Sequence, residues 1–263
     1  MTAADPPLWS GSLALLPGAV VYDGPGGPAG WHAHHALQVM VSDGAAFTLT
    51  TQDAHGERAT HHGVAAIVPS GVAHRLEATP DRMVLLLVEP VGTRGRDVGA
   101  GPASLRSGTE DFRDRLLARG ASAASLLETT LGVVATGGEA GARELSEPVR
   151  TAMGYLEAHA ADPSSSLAGA AAVAHLSPTR LTHRFTAEVG MPFRRYALWV
   201  RLRRAVEAVA SGEANLADAA VAAGFSDGAH LSRAFRRNFG LAPSALSRMR
   251  IAEAEWPGRV TPG

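Results

Sequence analysis

Two stretches of the carboxyl half repeat each other, and this repeat constrains the fold more than any other feature of the chain. Residues 166–190 read SLAGAAAVAHLSPTRLTHRFTAEVG and residues 215–240 read NLADAAVAAGFSDGAHLSRAFRRNFG. Leu167, Ala171, His175, Leu176 and Ser177 match Leu216, Ala220, Gly224, Phe225 and Ser226 at constant spacing. After one added residue, Leu181, Phe185 and Gly190 match Leu231, Phe235 and Gly240. Each copy reads as a short helix of small residues, a tight turn and a second helix. The alanines allow close helix–helix approach, and Gly224 suits a turn position of positive φ. Ser177 before Pro178 is a helix start, a capping hydroxyl followed by a proline at the first helical position, and Ser226 or Asp227 caps the second copy. These are two helix-turn-helix units.

Between them, residues 192–211 form one uninterrupted helical pattern with an apolar face and an Arg-rich face. A helix of about twenty residues is ~30 Å long. One turn of DNA spans roughly 34 Å, so such a rod can set two reading helices in successive major grooves. Charge agrees. All 24 basic side chains are arginine; residues 1–162 carry a balance of −7 and residues 163–251 one of +7. A compact basic half points to a polyanion, double-stranded DNA above all.

Helical geometry sorts the reading helices. With Leu181 and Phe185 inward, the opposite face of the first carries Thr179, Thr182, His183 and Thr186. With Leu231, Phe235 and Phe239 inward, the second presents Ala229, Ser232, Arg233 and Arg236. Arg233 suits a bidentate contact to guanine, and His183, Thr182 and Ser232 suit other base edges. Arg180, Arg184, Arg236 and Arg237 suit phosphates, which fix position without reading sequence.

These residues carry a resemblance. Residues ~145–250, with LADAAVAAGFSDGAHLSRAFRRNFGLAPSAL at their centre, resemble the DNA-binding domain of the AraC-type transcription regulators. That resemblance implies two helix-turn-helix motifs joined by a long helix. Leu231 stands where the family usually has an aromatic residue, Ala229 where serine is common, and PSALSR lacks a tyrosine often found there.

The amino half has strand-and-turn composition, rich in Gly, Pro, Val and Thr. Helical patterns begin near Glu110, where Phe112, Leu116, Leu117, Leu126, Leu127 and Leu131 offer apolar surface, either for a homodimer or for packing on the same chain. Val149, Ala152, Met153 and Leu156 form one apolar helix stripe. The segment TGGEAGA at 136–142 reads as a linker. The expected organisation is a sensor over 1–100, a helical linker over 101–142, the DNA-binding domain over 143–251 and a tail over 252–263.

Histidines mark the sensor. WHAHHALQ (31–38) places His32, His34 and Gln38 behind Gly26, and Gly63, Pro69, Gly71 and His74 follow at a second spacing. The two patterns resemble the paired motifs of the cupin β-barrels, with Gln38 where that family has glutamate. The resemblance implies a small antiparallel barrel whose histidines converge inside. His-x-His on a strand points both imidazoles to one face. With His74 from a facing strand they make three nitrogen ligands, suited to Zn, Ni, Fe or Cu, and Gln38 adds a neutral oxygen. The same side chains serve equally as the lining of an organic-effector pocket, or as packing. His35 is expected on the opposite face, and His61 with His62 in a loop.

The expected fold is therefore α+β with two domains, a cupin-like antiparallel barrel followed by an all-α domain. The expected function is a transcription regulator controlled by a small molecule or metal, with RNA polymerase as a further partner if it activates. The alternative is a cupin metalloenzyme, an oxygenase or isomerase, fused to a DNA-targeting domain. No second acid–base group stands beside the histidines in the sequence, so no catalytic residue is assigned. The absence of cysteine, of a basic leader and of any long apolar run leads to the expectation of a cytoplasmic protein with no membrane partner.

Overall fold

The computed structural model describes residues 8–16, 19–88, 109–118, 122–135, 145–162, 165–210, 212 and 214–252. The expected linker at 136–142, the domain boundaries at 100 and 142, and the side chains of Phe112 and Leu131 lie outside the described residues.

Among the described residues strands come first: β1 (Ser12–Leu16), β2 (Ala19–Gly24), β3 (Ala29–His32), β4 (Leu37–Ser42), β5 (Phe47–Gln52), β6 (Arg58–Gly63), β7 (Ala65–Val68), β8 (Ala73–Glu77) and β9 (Met83–Val88). Helices follow: α1 (Thr109–Leu117), α2 (Ala123–Ala135), α3 (Glu147–His159), α4 (Leu167–Val173), α5 (Pro178–Val189), α6 (Phe193–Ala210), α7 (Leu216–Ala222) and α8 (Gly228–Phe239). A 3-10 turn (Pro243–Arg248) leads into a last strand, β10 (Arg250–Ala252).

The strands form two sheets, β10-β1-β2-β9-β4-β7 and β3-β8-β5-β6. They face each other as a sandwich, and the expected closed barrel is corrected: no ladder joins one sheet to the other among the described residues. The reason lies partly at two of the edges. Backbone groups on an edge strand demand partners, and here the carboxyl-terminal domain supplies them. Beside β3, Gly30 N–H donates to Gly240 O (3.1 Å) and Ala33 N–H to Arg237 O (3.3 Å). Beside β1, β10 pairs in parallel, Leu13 opposite Ile251. The residues expected to end the DNA-binding domain thus return to the sensor sheet.

Each layer follows from side-chain alternation. On β4, Met40 faces the sandwich interior with Phe47, Leu76 and Met83, whereas Val39 and Val41 face outward. Leu116, Leu126 and Leu127 cover that outward face with Val84, Leu86 and Val88, so all six residues of β4 are buried. These leucines pack on their own sheet, which removes them as a dimer surface; each contributes roughly 1.5–3 kcal/mol by leaving water.

The helical half follows the repeat. α4 and α5 form the first helix-turn-helix, α7 and α8 the second, and α6 is the rod between them, 18 residues and about 27 Å long. The first unit has its own core, Leu181 and Phe185 against Val149, Leu156, Tyr196 and Val200. The second does not: Leu231 and Phe235 join Leu202 and Leu246 in one cluster continuous with Met40 and Leu76 of the sandwich. Among the described residues, no helix is long and apolar enough to cross a membrane.

Candidate DNA-reading surface and histidine cluster

In the first unit, α5 starts as read from the sequence. Ser177 caps it, its hydroxyl accepting from Arg180 N–H at 3.3 Å, and Pro178 occupies the first turn. His175 holds φ +52 at the turn position matching Gly224 at φ +84. A Cβ on Gly224 would stand 2.5 Å from Ala160 O, so the second turn requires glycine and the first does not. Leu181, Phe185 and Val189 are buried. Thr179, Arg180, His183 and Thr186 are exposed, and Thr182 is half-buried with its hydroxyl donating to Pro178 O at 2.9 Å. Arg184 pairs with Glu188 at 3.5 Å, which ties it to its own helix.

In the second unit Asp227 is the cap, accepting from His230 N–H at 2.6 Å. Ala229, Arg233, Arg236 and Arg237 are exposed and Ser232 is half-buried. Phe239 is half-buried against Trp199, their rings 6.0 Å apart. Arg237 differs from its neighbours because it lines the cleft between α8 and the sensor. Three arginines of the rod serve architecture: Arg201 donates to Ala160 O (3.0 Å), Arg203 pairs with Glu157 (2.5 Å) and Arg204 donates to Glu157 O.

The sensor histidines converge, by a route that differs from the expected one. His32 ends β3 directly opposite His74 on β8. His34 lies beyond β3, in the turn before β4, so strand alternation does not aim it; its Nδ1–H donates to Ala36 O at 2.8 Å and holds the ring in place. The rings stand 4.0 Å (His32–His74), 5.2 Å (His34–His74) and 5.6 Å (His32–His34) apart, and one candidate ligand atom from each lies within 4.8 Å of the others. His35 is buried at the domain junction, edge-on to Tyr196. His61 and His62 sit on β6 rather than in a loop.

Burial keeps these imidazoles neutral. Loss of water, reinforced by repulsion from His34, lowers His32 to about 4. Burial and then its two histidine neighbours lower His74 to about 2. Burial also lowers His34, against a bond from Gln38 that favours its charged form. Each ring meets a backbone carbonyl through Nδ1: His32 with Gly30 O (2.7 Å), His34 with Ala36 O, His74 with Val72 O (2.9 Å). A neutral imidazole bonding a carbonyl through Nδ1 must donate there, which leaves Nε2 as a lone pair. His74 Nε2 is buried without any hydrogen-bond partner. His34 Nε2 faces Gln38 Oε1 at 2.9 Å, two acceptors in contact. Either the amide is rotated to present its NH2, or a cation joins the pair. Two donors each about 2.1 Å from one ion stand about 3 Å apart at right angles, as in an octahedral site, and about 3.4 Å apart in a tetrahedral one, so the 2.9 Å pair suits the first as it stands and the second after opening by about half an ångström. The donor set therefore fits a transition-metal ion, and the Nδ1–carbonyl bonds are the outer contacts that orient metal-binding imidazoles.

Two cavities meet at the cluster. One, of about 100 Å3, is apolar and closed over by Trp199, Val206, Phe235, Phe239 and Leu246 of the carboxyl-terminal domain. The other, of about 540 Å3, is a cleft between the domains where Trp31, His35 and Ser70 face Arg195, Trp199, Arg237 and Asn238. His32 and His34 line both. Sequence reasoning missed Trp31, Arg195, Trp199 and the cleft role of Arg237, because no local pattern links positions so far apart in the chain.

Residues 170–249 match the family model of a helix-turn-helix domain. Among solved structures, ToxT from Vibrio cholerae is similar over 89% of this chain and 99% of its own, at 8% identity and a TM-score of 0.59. ToxT bound to (E)-4-(8-methylnaphthalen-1-yl)but-3-enoic acid is similar over 88% and 99%, at 9% identity and a TM-score of 0.57. At such identity the likeness is one of fold, and it spans both domains. The C-terminal domain of AraT, a response regulator from Geobacillus stearothermophilus, is 26% identical over 44% of this chain and 96% of its own, with a TM-score of 0.39.

Proposed function

The carboxyl-terminal domain is an AraC-type helix-turn-helix domain, and from that premise we propose that the chain is a sequence-specific transcription regulator whose sensor holds a divalent metal or a small organic effector. The observation that carries this reading is the union of sensor and reader. The second helix-turn-helix shares its core with the sandwich, roofs the apolar cavity and hydrogen-bonds the strand that bears His32. Whatever occupies the sensor bears on α8 directly. ToxT, of the same two-domain fold, has been solved with an unsaturated fatty acid bound, which supports an effector role for the sensor here.

His32, His34 and His74 would hold the ion, with Gln38 as a fourth, neutral donor. An ion there would tie β3, β4 and β8 together beneath α8. Regulation follows only if the ion or effector prefers one docking state of the two domains, since equal affinity shifts nothing. The cupin enzyme reading has less support: among the described residues no carboxylate lines either cavity, so histidines bound to an ion would have no separate acid–base group beside them.

The test uses the untagged full chain. Selection from random duplexes should recover a site spanning two adjacent major grooves, bound less tightly as salt rises. The protein should retain about one equivalent of Zn, Ni, Fe or Cu after dialysis, and His74→Ala should lose it. Removing the ion should change operator affinity by roughly fivefold or more. Failure to select any sequence sinks the regulator. Selection without metal retention, before or after reloading, leaves the organic effector as the occupant.

A further inference from the structure

We infer that the interdomain cleft binds a carboxylate-bearing anion, which neutralises the cation on His32, His34 and His74 and is gripped by Arg195 and Arg237 of the DNA-binding domain. This rests on the metal reading above and adds the class of ligand and its partners.

Charge balance is the first ground. Three imidazoles and one amide are all neutral donors, so a divalent ion on them keeps its full charge. Among the described residues no Asp or Glu lines either cavity that meets the cluster. The histidines themselves are buried, His74 completely. An uncompensated charge out of water is costly, and proteins hold such charges only when paired. Since neither cavity wall offers an anion, it comes either from solvent as hydroxide or from a ligand, and the shape and charge of the cleft favour a ligand.

Access is the second. The cavity on one side of the cluster is small and lined almost wholly by apolar side chains, and Arg203, the one guanidinium on its wall, is already paired with Glu157, so it offers an anion little. The cleft on the other side is several times larger and opens onto His32 and His34. An anion reaches the cluster from that side.

Recognition is the third. Arg195, in the first turn of α6, and Arg237, near the end of α8, both line the cleft and are exposed. Neither has a carboxylate partner among the described residues, whereas Arg203 and Arg184 on the same domain do. Two free guanidiniums facing one cleft are a fork for carboxylate oxygens. Buried His35 Nε2, without a hydrogen-bond partner, adds a polar atom to the same wall, and Trp31 and Trp199 supply flat apolar faces for an organic body. The ligand is thus an organic carboxylate with an apolar or aromatic portion, seated between sensor and reader. Occupying Arg237 this way withholds it from a DNA phosphate, which links the ligand to the second helix-turn-helix.

The experiment loads the full chain with Co(II), whose visible absorption reports its ligands. Co(II) affinity is measured first alone by chelator competition, then with acetate, hexanoate, benzoate or 1-naphthoate, with benzamide as the neutral control. A carboxylate with an apolar body should raise Co(II) affinity roughly tenfold and alter the absorption, and by reciprocity Co(II) should raise affinity for that carboxylate by the same factor. Benzamide should do neither. The Arg195→Ala, Arg237→Ala double variant should keep its Co(II) and lose most of the carboxylate effect. Failure to bind Co(II) at all overturns the metal reading and this inference with it. Co(II) bound with unchanged affinity and absorption in every carboxylate overturns the inference alone. An unchanged carboxylate effect in the double variant overturns the role of the arginines.

Discussion

The two helix-turn-helix units are built to one plan and lean on different things. α5 buries Leu181 and Phe185 within its own domain, and a Cβ on its closing residue, Gly190 at φ +80, would meet nothing within 4 Å. α8 buries the matching Leu231 and Phe235 in a cluster shared with the sandwich. A Cβ on its closing residue, Gly240 at φ +67, would fall 2.5 Å from Gly30 O and 2.7 Å from His32 Nδ1. One local pattern therefore yields a reading helix whose core lies within its own domain and a reading helix docked on the sensor. A signal in the sensor meets α8 directly, and meets α5 through Tyr196, which His35 touches on one side and Phe185 on the other.

Substituting the two closing glycines breaks this comparison most sharply. Alanine at either position is forced to positive φ, at roughly 1–2 kcal/mol. At Gly190 that is the whole cost. At Gly240 the methyl group also drives into backbone and the His32 ring, adding about 1–3 kcal/mol as for an overfilled core unless the domains part. Denaturant unfolding should show the larger loss for Gly240→Ala, and amide exchange at Gly30 and Ala33 should speed up in that variant only. Equal costs, with both amides unchanged, would mean that the docking of α8 is not the contact described.

The readers also differ in what they present. α8 carries Arg233 and Arg236 outward, whereas the outward face of α5 carries Thr182, His183 and Thr186 around Arg180. Arg233→Ala should lower operator affinity by about 1 to 3 kcal/mol and relax preference at one base position. His183→Ala should cost less, because one imidazole lacks the bidentate fork. Site selection with each variant decides it: unaltered base preference in Arg233→Ala means that Arg233 does not read bases.

What could be read in advance was local. Caps, proline starts, the buried face of each reading helix and the positive-φ turn at Gly224 all depend on neighbours a few residues away. The convergence of His32, His34 and His74 was also foreseen, although His34 reaches the cluster from a turn rather than a strand. What could not be read was long-range. Whether β3 closes a barrel or accepts a helix end depends on Gly30 meeting Gly240, and no periodicity records that meeting. The fate of Leu116, Leu126 and Leu127 was undecided for the same reason, since an apolar stripe does not say which surface it covers. Arg237 read as a phosphate contact by helical position, and only the docked sensor places it in a cleft.

The finest difference between the units lies in their caps. Ser177 accepts from Arg180 N–H at 3.3 Å with a neutral hydroxyl, and Asp227 accepts from His230 N–H at 2.6 Å with a carboxylate. The bond from His230, then the Ser226 hydroxyl, hold the Asp227 carboxyl below its ordinary 3.8, with the charge of Arg233 helping. A lowered value in the folded protein means that the charged cap contributes fully above the unfolded pKa and is lost as pH falls through the folded one. Ser177 has nothing to titrate. Acidification below about pH 4 should therefore loosen the start of α8 and leave the start of α5 as it was. Amide exchange at His230 and Arg180 measures each cap separately, provided the domains stay docked over the range used. Asp227→Asn keeps an accepting oxygen without the charge, so its His230 amide should exchange a little faster at neutral pH and lose the acid dependence. Ser177→Ala should cost about 1 kcal/mol at every pH. A His230 amide that ignores pH in the wild-type chain would show that the carboxylate charge adds nothing to the cap, leaving the two units alike in this respect.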